Sequence, residues 1–424
     1  MSKAILEQPA ITPVSPGQIP DAEVLHLNNG IPVFLIKSGT EEIVRIEFIF
    51  NAGQARESIP LVASMTNMML TEGSAKYSAT RLNNLLDFHG VFFSLFSDKD
   101  RAGITMFCMN KYLEKILELS QEILFHPLFP EKDLKALLRK RQRRFLVNRE
   151  KVQNIALDHF FESIFGGHHP YGRMIVEEDF ERIDPSLLKE FHLKYYNPGK
   201  MAVIISGRLP SGINELLNKH FGFLPSVEKD TEEIIISPEC SKNRQLHIEK
   251  KGALQTAIRI GSPEINKRHP DYPGLKVLNT ILGGYFGSRL MKNIREDKGY
   301  TYGIHSSVSS LNLSGYKIIS AEVNKKNSRK AIDEIYREIT LLQSVPVETG
   351  EMEIVRNYML GDMLRMFDGP FALAESFRSA WEFGLDNSYY YRLAGKIKTI
   401  DQDEITSLAR TYYNLDHIFE ITAG

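Results

Sequence analysis

Two segments of the chain decide its fold: residues 181–207, ERIDPSLLKEFHLKYYNPGKMAVIISG, and residues 398–424, KTIDQDEITSLARTYYNLDHIFEITAG. They align without a gap at a constant offset of 217 positions, 398 against 181. The identical pairs are Ile183/Ile400, Asp184/Asp401, Tyr195/Tyr412, Tyr196/Tyr413, Asn197/Asn414, Ile204/Ile421 and Gly207/Gly424. One repeat at about half the chain length predicts two copies of a single module rather than a solenoid of many short units.

The first copy begins with strands and continues with helices. Residues 24–39, VLHLNNGIPVFLIKSG, predict two strands around an Asn-Asn-Gly turn, and alternation in EIVRIEFIF predicts a third. The periodicity then predicts a hairpin at 91–110, a closing strand at 201–207, and helices at 61–72, 78–90, 111–125, 131–147, 152–165 and 185–195. This order predicts an α+β fold, with a mostly antiparallel sheet and helices on one face.

Composition changes divide the chain into four parts. Residues 1–20 contain four prolines and predict an extended N-terminal arm. Residues 21–225 form the first module, and residues 226–242, acidic at the start and interrupted by a proline, are the expected linker. Residues 243–424 form the second module.

Charge and cysteine content exclude several classes of protein. The 424 residues include 52 Lys and Arg against 53 Asp and Glu, so no overall charge favours nucleic acid or an anionic membrane as partner. The two cysteines cannot form a disulfide framework. No apolar run approaches the roughly 20 residues of a membrane span, and the N-terminus does not resemble a secretory signal. We expect a cytoplasmic protein, or a periplasmic one if a leader is missing from the sequence.

The histidine spacing gives no zinc motif. A catalytic zinc needs about three His or carboxylate ligands, and a helical HxxEH supplies two of them compactly. Neither HxxEH nor HxxxH occurs in the chain, and the only adjacent pair is His168-His169, in GGHHPYG.

Five motifs together resemble peptidase family M16, which includes pitrilysin, insulin-degrading enzyme and the mitochondrial processing peptidase. They are MLTEGS (69–74), HHPYGR (168–173), YYNP (195–198), LGGYFGSRL (282–290) and IREDKGYTYG (294–303). The resemblance covers about residues 20–424 and is most specific at residues 281–306. It implies two tandem modules of the LuxS/MPP-like fold.

The resemblance also implies that the zinc site is degenerate. Matching the MLTEGS segment places Ser64, Asn67 and Met68 where family peptidases carry the first His, the catalytic Glu and the second His, and Arg144 near the third ligand. A thioether and a guanidinium do not suit a hydrolytic zinc, and an amide cannot replace the general base. We therefore predict that this chain binds no metal and cuts no peptide by itself.

Two alternatives to this interpretation stay open at the level of sequence. Ser64, Met65, Asn67 and Met68 are also compatible with plain core and cap positions of a methionine-rich helix. An active metallopeptidase that uses displaced ligands is the other alternative, and its candidates are His89, His168 and His169.

The second module keeps a different family motif. Arg295 and Tyr302 match the Arg and Tyr that, in family peptidases, hydrogen-bond the substrate backbone near the scissile bond. A guanidinium and a phenol both donate to a peptide carbonyl, which supports this role. The alternative for Arg295 is a salt bridge to Glu296 or Asp297, whereas Arg289 is expected to be structural.

The resemblance implies a non-catalytic subunit of a two-chain zinc peptidase. Its partner would be an HxxEH-bearing homologue that holds the zinc, while this chain binds and orients extended peptides and supplies Arg295 and Tyr302. The alternative is a homodimeric peptide-binding or scaffold protein without proteolysis. A basic run on one predicted helix indicates a solvated face or a wall that attracts acidic peptides, rather than a nucleic-acid site: Lys135, Arg139, Lys140, Arg141, Arg143 and Arg144.

Overall fold

The computed structural model describes residues 17–225 and 236–424. Most of the predicted arm and most of the predicted linker, residues 1–16 and 226–235, lie outside the described residues. The described end of the arm packs on the second module: Ile19 is buried, and its backbone N–H donates to the Tyr391 hydroxyl at 2.8 Å.

The first module contains a six-stranded sheet in the order β1-β2-β6-β3-β5-β4. Its strands are β1 (Glu23–His26), β2 (Pro32–Lys37), β3 (Ile43–Phe50), β4 (Phe92–Ser97), β5 (Ala102–Met109) and β6 (Met201–Gly207). Only β2 and β6 pair in parallel, so the sheet is mostly antiparallel, as predicted.

Seven helices accompany this sheet among the described residues. They are α1 (Val62–Met69), α2 (Ala79–Phe88), α3 (Leu113–Phe125), α4 (Glu131–Asn148), α5 (Val152–Phe165), α6 (Pro185–Tyr195) and α7 (Ile213–Phe221). The six helices predicted from periodicity are confirmed. The Ser78 side chain accepts a hydrogen bond from the backbone of Arg81 and caps α2.

The second module repeats the arrangement with a five-stranded sheet in the order β7-β11-β8-β10-β9. The strands are β7 (Gln245–Ile248), β8 (Gln255–Glu264), β9 (Thr301–Ser310), β10 (Gly315–Asn324) and β11 (Phe419–Ala423). The helices are α8 (Tyr272–Asn279), α9 (Ser328–Ser344), α10 (Thr349–Arg365), α11 (Gly369–Trp381), α12 (Ser388–Thr399) and α13 (Gln402–Tyr412). Residues Thr280–Gly284 and Met291–Asp297 are π-helical.

The repeat offset of 217 extends beyond the closing segment into the helices. Helix α5 begins at residue 152 and α11 at residue 369, which differ by 217. Helix α4 ends at residue 148 and helix α10 at residue 365, which also differ by 217. The two modules therefore correspond over most of their elements, and the α+β tandem fold is confirmed.

One helix of each module packs against the sheet of the other module. Val33 and Leu35 of β2 face their own module's core, whereas Phe34 and Ile36 face the second module, as the two-residue period of a strand requires. Phe34 packs on Phe377 of α11, with ring centroids 5.0 Å apart. Helix α5 in turn packs on β8 and β11 of the second sheet. Helix α11 of the second module thus covers one face of the first sheet, and helix α5 of the first module covers one face of the second sheet.

A matched pair of buried arginines holds these two exchanged helices. Arg45 of β3 donates to the backbone carbonyl of Phe371 in α11 at 2.8 Å. Arg259 of β8 donates to the carbonyl of Gln153 in α5 at 3.2 Å. Buried guanidiniums need partners, so the contacts are expected to fix the relative position of the modules.

Across residues 17–225 and 236–424, no helix has the length and apolar character needed to cross a membrane.

Candidate functional site

The four positions matched to the family's zinc site lie together in the structure. Ser64, Asn67, Met68 and Arg144 all line one cavity of about 590 Å³ between α1 and α4. We call it the α1–α4 cavity. Strand β4, at the outer edge of the first sheet, contributes Leu95 and Ser97 to its wall.

Asn67 holds helix α1 against the rest of the module. Its side-chain amide nitrogen donates to the carbonyl of Gly103 at 3.0 Å and to the hydroxyl of Tyr196 at 3.1 Å. The residue is only 1% exposed. Both amide protons are used in these contacts, and an amide accepts no proton at neutral pH, so Asn67 cannot act as a general base.

Ser64 and Met68 are equally unsuited to a metal. The Ser64 hydroxyl donates back to the carbonyl of Leu61 at 3.0 Å. The Met68 sulfur lies 3.5 Å from a guanidinium nitrogen of Arg141, so a positive charge already adjoins this position. The side chains of the α1–α4 cavity therefore do not fit a catalytic zinc ion. Within the part of the chain that the structure describes, no cluster of three or more His, Cys, Asp or Glu side chains is suited to hold a metal.

Arg141 is a member of the cavity that the motif match did not single out. Its nearest contacts are the sulfurs of Met65 and Met68, at 3.6 and 3.5 Å. Burial lowers the pKa of its guanidinium. Its spacing of three residues from Arg144 places the two side chains on one face of α4, and this helical spacing was the available signal.

Glu57 is a second residue that the sequence did not reveal. Its carboxylate accepts a hydrogen bond from the backbone N–H of Ala63 at 3.0 Å, at the start of α1, and pairs with Arg173 at 3.4 Å. Burial raises its pKa to about 7 despite these contacts. Nothing in the local sequence marks Glu57, because its partners lie in a helix and in a distant turn.

Arg295 lies in the π-helical segment Met291–Asp297, a geometry that is frequent at functional sites. Its guanidinium carbon stands 4.6 Å from the ring centre of Phe286. Among the described residues it forms no ion pair, so the expected alternative of a bridge to Glu296 or Asp297 is not observed. Arg289 instead pairs with Glu351 through two contacts of 2.9 and 2.7 Å, which confirms its structural role.

Tyr302 projects from β9, the edge strand of the second sheet, and is 94% exposed. The β9–β10 register is irregular opposite this position, between Ala321 and Val323. Tyr302 lines an open cavity of about 910 Å³, together with residues 250–255 and the start of α5. Arg295 is not among the residues that line this cavity.

The histidines considered as displaced ligands, His89, His168 and His169, belong to no metal-binding cluster among the described residues. His169 is buried, and its Nδ1 accepts the backbone N–H of Tyr171 at 3.0 Å. The Tyr171 hydroxyl contacts Asp100 and accepts the N–H of Leu313 at 3.2 Å, so this turn joins the two modules. His89 packs on Tyr112 instead, with ring centroids 4.9 Å apart.

Two family profiles match successive parts of the chain. The profile of "Insulinase (Peptidase family M16)" matches residues 33–177, and that of "Peptidase M16 inactive domain" matches residues 182–359. The chain is 22% identical over 402 residues to the uncharacterized zinc protease YmxG of Bacillus subtilis, covering 92% of this chain and 95% of that protein. It is 23% identical over 248 residues to the non-peptidase homolog YmxG of Helicobacter pylori, covering 58% of this chain and 56% of that protein.

A solved structure has the same fold. The crystal structure of a peptidase M16 inactive domain from Pseudomonas fluorescens superimposes with a TM-score of 0.87 at 21% identity, covering 96% of this chain and 98% of that one. The fold and the cavity thus define a tandem-module protein of the M16 type. The chain belongs to peptidase family M16.

Proposed function

We propose that this chain is the non-catalytic subunit of a two-chain zinc peptidase. It pairs with an M16 homologue that carries HxxEH and holds the zinc, and it binds and orients the extended peptide substrate. By itself it cuts no peptide. We keep the cytoplasm as the predicted compartment.

One contrast carries the proposal. The cavity at the zinc positions contains a serine, an amide, a thioether and guanidiniums, whereas the substrate-binding motif keeps Arg295 and a 94% exposed Tyr302. An exposed aromatic side chain on a sheet edge lacks a stabilising role in the isolated chain, which favours a contact with something outside it.

The location of Tyr302 suits peptide binding. Within residues 17–225 and 236–424, strand β9 pairs only with β10, so its outer edge offers backbone N–H and C=O groups to an extended peptide. The Tyr302 hydroxyl and the Arg295 guanidinium are both able to donate to a peptide carbonyl. Their role would be to position that carbonyl and stabilise negative charge as it develops on the oxygen.

The experiment combines the purified chain with the HxxEH-bearing homologue from the same cells and measures cleavage of unfolded peptides. We expect activity only from the pair. Arg295→Ala and Tyr302→Phe should each lower kcat/KM by at least about tenfold without weakening subunit association.

Lys292→Ala is the matched control for the Arg295 variant, because Lys292 is exposed on the same π-helical segment. It should leave turnover unchanged. Undiminished turnover by both the Arg295 and the Tyr302 variants, or cleavage by the isolated chain, would contradict the proposal. Exclusive self-association would instead support the homodimeric scaffold.

A further inference from the structure

The α1–α4 cavity has the charge of an anion site. Three cationic side chains of α4 line it, Lys140, Arg141 and Arg144, and no carboxylate is among its lining residues. The net charge of the whole chain is only −1, so this concentration of positive charge is local. A cavity with walls of one sign attracts ligands of the opposite sign.

Arg141 is the most buried of these cations. It is half-buried, and its described contacts are two thioether sulfurs, which are weak acceptors. No ion pair joins it to any described carboxylate. The acidic group whose charge acts on Arg141 is Glu57, and its oxygens already accept from Arg173 and from the backbone of α1. A partly desolvated guanidinium with only such partners gains strongly from a charged acceptor.

The rest of the cavity is apolar. The apolar lining consists of Leu61, Leu95, Leu137, Phe145, Ile175 and Phe180. A volume of about 590 Å³ is in the range of small-ligand sites and accommodates a few side chains. The lining therefore suits a ligand that joins an anionic group to apolar parts, as a peptide does.

The cavity also lies beside a free strand edge. Among the described strands β4 pairs only with β5, and Leu95 and Ser97 of β4 belong to the cavity wall. A peptide that extended the sheet along β4 would direct alternate side chains toward the cavity. The strand edge that suits an extended peptide and the cations that suit its carboxylate are therefore adjacent.

We propose that the α1–α4 cavity is a carboxylate-binding site for extended peptides, in which the Arg141 guanidinium receives either an acidic side chain or the C-terminal carboxylate. The site occupies the place where catalytic relatives hold zinc. It extends the proposed function by naming the class of peptide, and it rests on the peptide binding of that proposal but not on the partner subunit.

Calorimetric titration of the intact isolated chain tests the site. Three unstructured apolar peptides of one sequence are compared: the first has an internal Glu and an amidated C-terminus, the second has Gln there and a free C-terminus, and the third has Gln and an amidated C-terminus. We expect the third to bind at least about tenfold more weakly than the better of the other two, since charge-assisted bonds are about twice as strong as neutral ones. Whichever charged peptide binds more tightly identifies the source of the carboxylate.

Variants of α4 complete the experiment. Arg141→Met should abolish the preference for charged peptides, whereas Arg143→Met, on an exposed residue of the same helix outside the cavity, should retain it. Thermal unfolding verifies that both variants are folded. Equal affinity for all three peptides, no measurable binding of any of them, or an equal effect of both variants would overturn the site. Carboxylate-selective binding by a chain that activates no partner would overturn only the proposed function.

Discussion

The side-chain amide of Asn67 donates to the hydroxyl of Tyr196 at 3.1 Å, and the second module repeats the pair: the Tyr413 hydroxyl lies 3.4 Å from the side-chain oxygen of Asn279. Tyr196 and Tyr413 are identical positions of the sequence repeat. Both tyrosines are buried, and burial raises the pKa of each hydroxyl above its usual range. Asn67, which the motif match assigns to the family's catalytic carboxylate position, therefore serves a packing contact that both modules share.

Replacing Asn67 should cost stability rather than metal binding. Asn67→Ala leaves the carbonyl of Gly103 and the hydroxyl of Tyr196 without this partner in a buried site, which costs about 1–3 kcal/mol. Urea unfolding measures the change. Asn84→Ala, on the exposed surface of α2, is the control and should stay within about 0.5 kcal/mol of the parent. Equal losses in the two variants would argue against the packing role.

Glu57 should make stability depend on pH. Burial raises its pKa from 4.5 to about 7 in the folded chain, so between these values the folded state holds a proton that the unfolded state has lost. This contribution to stability is complete below pH 4.5 and disappears as the pH rises through 7, with a total of about 3 kcal/mol. Glu57→Gln removes the titrating group. The difference in unfolding free energy between parent and variant should therefore change across pH 4.5–7.5, and a constant difference would contradict the assignment.

Restoring the family ligands should not by itself restore a zinc site. In the combined variant Ser64→His, Asn67→Glu, Met68→His and Arg144→Glu, the guanidinium of Arg141 would still adjoin residue 68 and repel a dication. Adding Arg141→Met should tighten zinc binding on the order of tenfold or more. Competition with a chromogenic chelator measures this affinity. Adding Arg143→Met instead is the control, and equal affinities for the two five-site variants would show that Arg141 does not oppose the metal.

The contact between modules should depend on one buried carboxylate. Glu47 is 1% exposed, and one of its oxygens lies 2.9 Å from Arg45 and 3.2 Å from Arg378 of α11. Glu47→Gln removes the buried negative charge that Arg45 and Arg378 share, which leaves them more exposed carboxylates such as Glu375 and Glu382, and it should cost about 3 kcal/mol. Glu375→Gln removes an exposed carboxylate 3.4 Å from Arg45 and should change stability by less than about 1 kcal/mol. Similar unfolding midpoints for the two variants would contradict this account of the interface.

Sequence patterns predicted the features that depend on residues close together along the chain. The helical period located α3, α4 and α5 because their apolar faces repeat every three to four residues. The motif match also singled out Ser64, Asn67, Met68 and Arg144, which line one cavity in the structure. The contact of Arg141 with Met68 joins positions 73 residues apart, and the exchange of α5 and α11 depends on both modules at once. Local periodicity carries no signal for either of these contacts.

The central claim, a non-catalytic subunit paired with a zinc-bearing homologue, has one direct test. The chain is isolated at native abundance from its source cells under gentle conditions, and the mass of the intact complex and the identity of its components are determined. The account predicts a stoichiometric companion of similar size that carries HxxEH. A complex that contains only copies of this chain, or an unrelated assembly, would contradict it.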